Sequence, residues 1–483
     1  MAEIPEEDMA KLAASLKCGS VVAAAGCGKT EQIARATLVA DGRRLILTHT
    51  HAGIDVLRAR LKKHSVPSDK FRLDTIAGWC LRYGASFPKR SGLKNAQPMA
   101  DSEWDAVYEA AARLVGGGAV NGVLESSYTG VFVDEYQDCS GLQHQVVKAL
   151  AGTLPVCVFG DPLQAIFDFK GQKPVDWNND VFPVFAKAGE IVKPWRWHKA
   201  GNIDLADWLA ALRLTLEGGG NIDLANRPAC VKWESLPADP RFRNAKIIEV
   251  CKRMLGGVNG GTLVVIGDAV NINARAAIAR NLAKAGFSNI EPVGCANLFA
   301  AAARIEKAED FARLKAAMDF ICNCLIGAEQ ADFEKGVQSR QNGGRLGTAK
   351  FGDLINSGVA VAQSPDSEAL LDLMQGFYDR DRAYCFRREM FYAMRAALRI
   401  KCARPSCSLA DAIWEVQNRI RHVGRLISDR SVGSTLLVKG LEFDHAIIVH
   451  SANMTSKDWY VALTRASKTV TVLSPVERFA PAN

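Results

Sequence analysis

The stretch AAAGCGKT, residues 23–30, directly follows an apolar run and precedes a helix-forming segment. A buried strand that runs into a glycine turn and then into a helix is the context of a phosphate-binding loop. Gly26 and Gly28 carry no Cβ, so backbone N–H groups there can close around a phosphate, and the following helix N-terminus adds its positive dipole end. Lys29 would reach the β- and γ-phosphates, and Thr30 would ligate Mg²⁺. One residue departs from the strict pattern, since Ala23 replaces its first glycine.

A second apolar run, residues 131–133, ends in the two carboxylates Asp134 and Glu135. Nucleotide hydrolysis needs one carboxylate near Mg²⁺ and another that orients or deprotonates the attacking water. We assign Asp134 to the metal and Glu135 to the water. By itself the pattern also fits an acidic turn at a strand end, but the phosphate loop upstream favours nucleotide chemistry.

The composition is that of an ordinary globular protein, with 48% hydrophobic and 23% charged residues among 483. No apolar run approaches the ~20 residues that span a bilayer. The acidic N-terminus lacks the apolar core of a signal peptide, and the thirteen cysteines are irregularly spaced, as in reduced core residues. These features predict a cytoplasmic protein without a membrane partner.

Strand candidates alternate with helical patterns along the chain, which predicts an α/β fold with parallel sheets covered by helices. The candidates are residues 20–25, 45–48, 131–135, 156–160, 262–267, 445–450 and 469–474. They fall into two groups, so we expect two cores, over residues 1–190 and 191–483. A short insertion at about 86–124 interrupts the first core, and a mainly helical insertion at about 328–428 interrupts the second.

The net charge of +8 is concentrated in one region, because residues 380–430 hold twelve Lys or Arg against five Asp or Glu. Aromatic residues lie between and just before these charges, and such a basic, aromatic-bearing segment suits a nucleic-acid backbone. Arg387 and Arg388 are our candidates for this contact. A solvated basic helix face over an aromatic core explains the pattern equally well.

Further candidates follow the buried run 156–160. Gln164 could hydrogen-bond a γ-phosphate or the attacking water. Phe167 and Phe169 point to the same face of an extended segment, where they either stack on unpaired bases or belong to the core. Arg196 and Arg465 could each stabilise charge on a transferring phosphoryl group, although most arginines are merely solvated.

Taken in order, these motifs resemble the UvrD/Rep/PcrA family of superfamily 1 helicases over nearly the whole chain. The series is AAAGCGKT (23–30), LTHTHAGIDVL (47–57), DTIAGWC (74–80), VDEYQD (133–138), GDPLQAIFDFKG (160–171), PWRW (194–197), VKGLEFD (438–444) and YVALTRA (460–466).

The resemblance implies two RecA-like P-loop NTPase cores that clamp ATP and drive translocation on single-stranded or partly duplex DNA, usually 3′ to 5′. It implies ATP and Mg²⁺ as cofactors. The implied ATP-binding residues are Gly26, Cys27, Gly28, Lys29, Thr30, Trp195, which stacks on adenine, and Glu442, which contacts the ribose; Thr30 and Asp134 hold Mg²⁺. The implied catalytic residues are Glu135, Gln164, Arg196 and Arg465, the two arginines reaching from the second core. The implied DNA-binding residues are His49, Thr75, Phe167, Phe169 and Lys439, beside Arg387 and Arg388.

Departures from the family pattern leave alternatives open. The upstream glutamine that reads adenine has no match before Gln32, and His49 stands where a DNA-stacking phenylalanine is usual. The trimmed insertions resemble accessory helicases of bacterial defence, such as the Gabija helicase subunit, so the role could lie in DNA repair or in anti-phage defence. A nucleic-acid-stimulated ATPase that regulates a partner effector nuclease without processive unwinding is the alternative function. RNA in place of DNA is a third.

Overall fold

The computed structural model describes residues 5–98, 101–166, 174–257, 260–292, 294–423 and 427–482. It divides the chain into two units. The first comprises Met1–Ile222, Asn453–Lys468 and Phe479–Asn483, and the second comprises Asp223–Ala452 and Thr469–Arg478. The junction therefore lies at residue 222, about 30 residues beyond the expected boundary at 190, and a late segment of the chain returns to the first unit.

The first unit is built on a six-stranded sheet. Its strands are β1 (Cys18–Ala23), β2 (Arg44–Thr48), β3 (Phe71–Thr75), β4 (Gly130–Val133), β5 (Val156–Gly160) and β6 (Lys187–Ile191). They lie in the order β3-β2-β4-β5-β1-β6, and every neighbouring pair is parallel. β2, β4 and β5 are buried along their whole length, as expected of central strands that have helices on both faces.

Helices connect these strands and cover the sheet. They are α1 (Glu6–Ser15), α2 (Lys29–Val39), α3 (His51–Lys63), α4 (Ile76–Ser86), α5 (Pro88–Ser91), α6 (Asp101–Gly116), α7 (Asn121–Ser127), α8 (Gly141–Ala151), α9 (Trp195–Lys199) and α10 (Ile203–Glu217). α5, α6 and α7 lie in the part of the chain where the sequence predicts the insertion at 86–124. Since β1, β4 and β5 are parallel neighbours, the segments that follow them meet at one edge of the sheet.

The second unit contains the other six-stranded sheet. The six strands of this sheet are β8 (Val231–Ser235), β9 (Leu263–Ile266), β10 (Ser288–Asn289), β13 (Arg430–Gly433), β14 (Phe443–Val449) and β15 (Ala466–Ser474). Four short strands form two further pairs: β7 (Ile222–Asp223) pairs with β16 (Arg478–Phe479), and β11 (Leu325–Ile326) pairs with β12 (Tyr384–Cys385). The sheet order is β10-β13-β9-β14-β15-β8, with parallel pairing at β10–β13, β13–β9, β9–β14 and β15–β8. The predicted α/β class with two parallel sheets is confirmed.

Most helices of the second unit form one insertion between β10 and β13. The helices of this unit are α11 (Pro240–Gly257), α12 (Ile272–Asn281), α13 (Ala296–Lys307), α14 (Asp310–Cys324), α15 (Gln330–Gln341), α16 (Thr348–Phe351), α17 (Leu354–Gln363), α18 (Ser367–Tyr378), α19 (Arg388–Ala403), α20 (Leu409–Val423) and α21 (Thr435–Val438). α13 to α20 share an apolar core that includes Leu314, Phe333, Phe377 and Phe391. The insertion begins near residue 296 and not near 328, because the two-residue strand β10 before it gives no apolar run to mark the boundary.

The segment Asn453–Lys468 of the first unit carries the last helix, α22 (Ser456–Leu463). Thr455 and Asp458 form a capping box at its N-terminus, which satisfies two backbone N–H groups. Trp459 and Tyr460 are almost fully buried. None of the helices in the described ranges combines the length and apolar character that a bilayer crossing requires.

Candidate active site

The turn between β1 and α2 has a backbone that only glycine adopts readily. Gly26 has φ +71° and Gly28 has φ +85°, both in the left-handed region. A Cβ on Gly26 would lie 2.9 Å from a ring atom of Trp197. Gly28 is the N-cap of α2, so free N–H groups and the positive end of the helix dipole face the turn. The turn therefore has the backbone of an anion-binding loop.

Two carboxylates at the end of β4 face the first residues of α2. The Nζ of Lys29 lies 2.7 Å from Oε2 of Glu135 and 3.9 Å from Oδ1 of Asp134. The hydroxyl of Thr30 donates to Oδ2 of Asp134 across 3.4 Å. The structure thus brings together the four residues that the sequence assigns to phosphate, metal and water.

The charges of this cluster shift its pKa values. Burial raises the pKa of Asp134 to about 6, the Lys29 ammonium opposes the rise, and the Glu135 carboxylate adds to it. Burial lowers the pKa of Lys29, but Glu135 and Asp134 outweigh it, so the net pKa lies above the usual value. Lys29 therefore stays protonated. Because burial destabilises the charged form of Asp134, a second cation beside this carboxylate would stabilise it.

Glu135 has a strained backbone, with φ +55° at a residue that is not glycine. Its N–H donates to Oδ1 of Asp134, and its side chain accepts a hydrogen bond from the amide of Gln137. The Oε1 of Gln137 in turn accepts from the N–H of Asp161. Gln137 therefore fixes Glu135 relative to the end of β5, a role the sequence analysis missed although it lies in the VDEYQD motif.

Gln164 lies one turn after β5 and is 8% exposed. Its Nε2 donates to Oδ2 of Asp161 across 2.8 Å. Asp161 also forms a salt bridge with Arg213 of α10, in which Nη1 of Arg213 lies 2.7 Å from Oδ1 of Asp161. Sequence reasoning missed Arg213, although a signal existed: it is the one arginine in the otherwise apolar buried stripe of α10.

Arg196 and Arg465 both lie in the first unit, whereas the family resemblance implies that they reach from the second core. Nη1 of Arg196 donates to the carbonyl of Thr464 across 2.6 Å, and its N–H donates to the carbonyl of Gly26. Arg465 is 1% exposed, and its Nε donates to the carbonyl of Val461. These bonds attach both arginines to the unit that carries the phosphate loop.

A pocket of about 250 Å³ opens beside α1, α2 and β6. Its lining is Pro5, Glu6, Met9, Gln32, Glu190, Ile191, Val192 and Lys193. Trp195 lies at its border, where its indole N–H donates to Glu6 and the Lys193 ammonium lies 4.0 Å from its ring centroid. Among the described residues, the buried Oε1 of Gln32 accepts no hydrogen bond, so the wall carries one unused acceptor.

The residues expected to contact DNA occupy diverse positions. In the first unit, His49 is half-buried with its Nε2 3.5 Å from the thiol of Cys139, and Thr75 is buried and caps α4 by accepting the N–H of Gly78. Phe167 and Phe169 lie outside the described residues. In the second unit, Lys439 is the C-cap of α21, and Glu442 is exposed in the turn before β14.

Arg387 requires a correction. It is 2% exposed and forms two hydrogen bonds with the buried Glu291, at 2.6 and 2.9 Å, so it lies inside the second unit and not on a DNA-facing surface. Its neighbour Arg388 is half-buried and donates to the hydroxyl of Ser428. Of this pair, only Arg388 stays a candidate for a backbone contact.

Residues 104–179 match the family model for the UvrD/REP helicase N-terminal domain. For this part of the chain, the match confirms the resemblance to the UvrD/Rep/PcrA family that the motif series predicts. A comparison with curated proteins finds no match.

Two solved structures similar to the chain are of the arterivirus nonstructural protein 10 helicase, with DNA and without it. The complex with DNA has 10% identity and a TM-score of 0.36 over 97% of this chain and 63% of that chain. The other structure has 10% identity and a TM-score of 0.37 over 97% and 61%. The present chain thus spans less than two thirds of the length of either.

Proposed function

We propose that this chain hydrolyses ATP in the presence of Mg²⁺ and uses the energy to move along single-stranded DNA as a translocase or helicase, in the 3′ to 5′ direction. The observation that carries the proposal is the cluster of Lys29, Thr30, Asp134 and Glu135 at the edge where β1 and β4 end. These are the groups that phosphoryl transfer to water requires: a cation for the phosphates, hard oxygen ligands for Mg²⁺ and a base.

The donor set fits magnesium. Mg²⁺ prefers hard oxygen ligands, keeps several waters and is held by only one or two carboxylates, and here one hydroxyl and one carboxylate face each other. Thr30 and Asp134 would hold the ion, which would neutralise charge on the phosphate oxygens. Glu135, whose side chain is 38% exposed, can receive a proton from water once Lys29 has moved to the phosphates.

The pocket beside Trp195 suits the base of the nucleotide. Trp195 offers a ring for stacking, and the free acceptor of Gln32 suits the exocyclic amino group of adenine. Because no glutamine precedes Gln32 in the sequence, we propose that it takes the place of the missing upstream glutamine.

The UvrD/REP match over residues 104–179 and the basic excess at 380–430 support a nucleic-acid partner. We propose DNA as this partner, the cytoplasm as the location, and repair or anti-phage defence as the pathway. A partner effector nuclease belongs to the alternative, in which the chain is a regulatory ATPase that does not unwind.

The decisive experiment measures ATP hydrolysis with and without single-stranded DNA for the wild type and for Lys29→Ala. Lys11→Ala, at an exposed lysine of α1, is the control. Strong stimulation by DNA that disappears only in Lys29→Ala supports the proposal, and ATP hydrolysis that is absent or indifferent to DNA contradicts it. Matched RNA oligonucleotides and a strand-displacement assay then separate DNA from RNA and a helicase from a regulatory ATPase.

A further inference from the structure

A buried polar cluster lies behind the candidate active site of the first unit. Its members are Asp161 after β5, Arg213 on α10 and Tyr460 on α22. Asp161 is 0% exposed, and the side chain of Arg213 is 8% exposed. A charge buried this deeply is costly unless it is paired and hydrogen-bonded. Removal of either partner would therefore leave the other charge buried without compensation.

Arg213 holds this cluster together. Its Nη1 donates to Oδ1 of Asp161 at 2.7 Å and to the hydroxyl of Tyr460 at 2.9 Å, while its Nε lies 3.0 Å from Oε1 of Glu217. The same Tyr460 hydroxyl accepts the backbone N–H of Ala25, in the phosphate-loop turn, at 3.0 Å. One guanidinium thus joins the end of β5, helix α22 and the turn between β1 and α2.

Each of the three joined segments carries a residue assigned to ATP binding or hydrolysis. Gln164 follows β5 and bonds to the same carboxylate, through Oδ2 of Asp161. Arg465 follows α22 within one turn. Lys29 follows Ala25 at the start of α2. The cluster is thus bonded to the side chain of Gln164 and to the backbone just before Lys29, and it includes Tyr460 on the helix that precedes Arg465.

We propose that Arg213 is a positioning residue, which holds Gln164, helix α22 and the phosphate-loop turn in the mutual arrangement that ATP hydrolysis requires. This inference rests on the proposed ATP hydrolysis. Arg213 acts through Asp161 and Tyr460 and needs no contact with the nucleotide. Because the groups it aligns act on charge that develops during phosphoryl transfer, its loss affects turnover more than nucleotide binding.

The test compares kcat and KM for ATP, with saturating single-stranded DNA, in the wild type, Arg213→Met, Arg213→Lys, Tyr460→Phe and the double variant Arg213→Met/Tyr460→Phe. Arg44→Met is the matched control, since Arg44 is a buried arginine of the same unit that contacts the carbonyl of Ala14 and the ring of Phe132. All rates are expressed per folded molecule, below the melting temperature of every variant.

We expect Arg213→Met to lower kcat about 10- to 100-fold with KM changed less than about threefold, as for other residues that orient a catalytic group. Arg213→Lys keeps a cation beside Asp161 and should recover part of kcat. Tyr460→Phe should lower kcat less, and the double variant should fall short of the product of the single effects because both residues belong to one cluster.

Equal kcat per folded molecule in Arg213→Met and Arg44→Met, with only the melting temperature reduced, would overturn the positioning role and leave the proposed function intact. A fall in nucleotide binding without a fall in kcat would overturn it as well. A folded wild type without ATP hydrolysis would overturn the proposed function, and this inference with it.

Discussion

Each unit contains an ion pair with at least one buried partner, and the two pairs differ in how completely the chain supplies their hydrogen bonds. In the first unit, Lys29 is paired with Glu135, whose side chain is 38% exposed. In the second unit, the side chains of Arg387 and Glu291 are both 3% exposed and form two parallel hydrogen bonds. The first pair is open to exchange with a ligand, and the second is closed.

The surroundings of the closed pair explain the difference. The amide of Asn289 donates to Oε1 of Glu291, and Arg387 also donates to Oδ1 of Asn323. Side chains of the protein itself thus supply further hydrogen bonds to both charged groups, and such a cluster contributes to the stability of the fold. The cluster at Lys29 keeps a carboxylate that is 38% exposed, and in the proposed function its charges bind phosphate and metal. Burial of a charge therefore does not by itself distinguish function from structure.

The open cluster should be expendable for folding and essential for turnover. We expect Glu135→Gln to lower kcat for ATP about 10²- to 10⁴-fold, the range that general acid–base catalysis supplies, with nucleotide binding retained. Steady-state ATP hydrolysis and binding of a non-hydrolysable ATP analogue measure the two effects. Glu125→Gln, at an exposed glutamate of α7, is the control, and unchanged turnover in Glu135→Gln would remove the assignment.

The closed cluster should behave in the opposite way. Arg387→Met leaves the Glu291 carboxylate buried without its cation, so we expect a loss of about 3–5 kcal/mol in the free energy of unfolding. Urea denaturation measures it, with Arg388→Met as the neighbouring control. The double change Arg387→Met/Glu291→Leu should recover much of the loss, and a single variant as stable as the wild type would show that the pair is not closed.

The buried Oε1 of Gln32, which accepts no hydrogen bond from the described residues, should contribute to nucleotide choice. We expect Gln32→Ala to reduce the preference for ATP over GTP in kcat/KM about tenfold, because it removes one hydrogen bond to the base. Gln338→Ala, at an exposed glutamine of α15, is the control. A preference that survives Gln32→Ala would assign base selection to other lining groups.

Glu31, between Thr30 and Gln32 on α2, is bonded to Lys63 and His64 and shows what a partly exposed ionic cluster contributes to stability. Burial raises its pKa, but hydrogen bonds from Lys63 and His64 outweigh this and lower the pKa to about 2. A lowered carboxyl pKa adds stability above the ordinary pKa of about 4.5, and that stability is lost as the pH falls towards 2. We expect Glu31→Gln to cost about 1 kcal/mol at pH 7, and less with each step below pH 4.5.

Urea titrations of wild type and Glu31→Gln at pH 7, 5, 4 and 3 would measure this dependence. A difference between the two proteins that is constant with pH would show that the carboxylate charge contributes nothing to stability.

The smallest effect concerns the surface of the second unit. We expect Arg388→Gln to weaken single-stranded DNA binding modestly and to reduce the slope of log K against log salt by about 1, since one phosphate contact is lost. Arg241→Gln, at an exposed arginine paired with Asp239, is the control. An unchanged slope would exclude Arg388 from the DNA path.

Several features of the fold could be predicted because they depend on local sequence. The seven apolar runs correspond to β1, β2, β4, β5, β9, β14 and β15. Others could not: β3 and β6 are more polar, half-buried strands, and β10 has two residues, so their pairing depends on neighbours distant in sequence. Tertiary context overrides pattern at such strands.

The candidate site divides in the same way. Lys29, Asp134 and Glu135 follow apolar runs that end at one edge of a parallel sheet, so the sequence predicts their proximity. Arg387 could not be placed, because it is the N-cap of α19 and its non-helical backbone, at φ −123° and ψ 61°, turns it away from the periodicity of the helix. Its burial depends on Glu291, nearly 100 residues earlier.

Cys27, at the centre of the phosphate-loop turn, has a consequence for chemical labelling. Its thiol is 2% exposed and donates to the carbonyl of Val192, and burial raises its pKa to about 12. Maleimides react with thiolates, so at neutral pH this cysteine is protected twice over. Burial also raises the thiol pKa of Cys18 and Cys402, but both side chains are exposed to reagents. Fluorophores can therefore be attached at the surface of the unmodified chain while the nucleotide loop stays unreacted, without first replacing its cysteine.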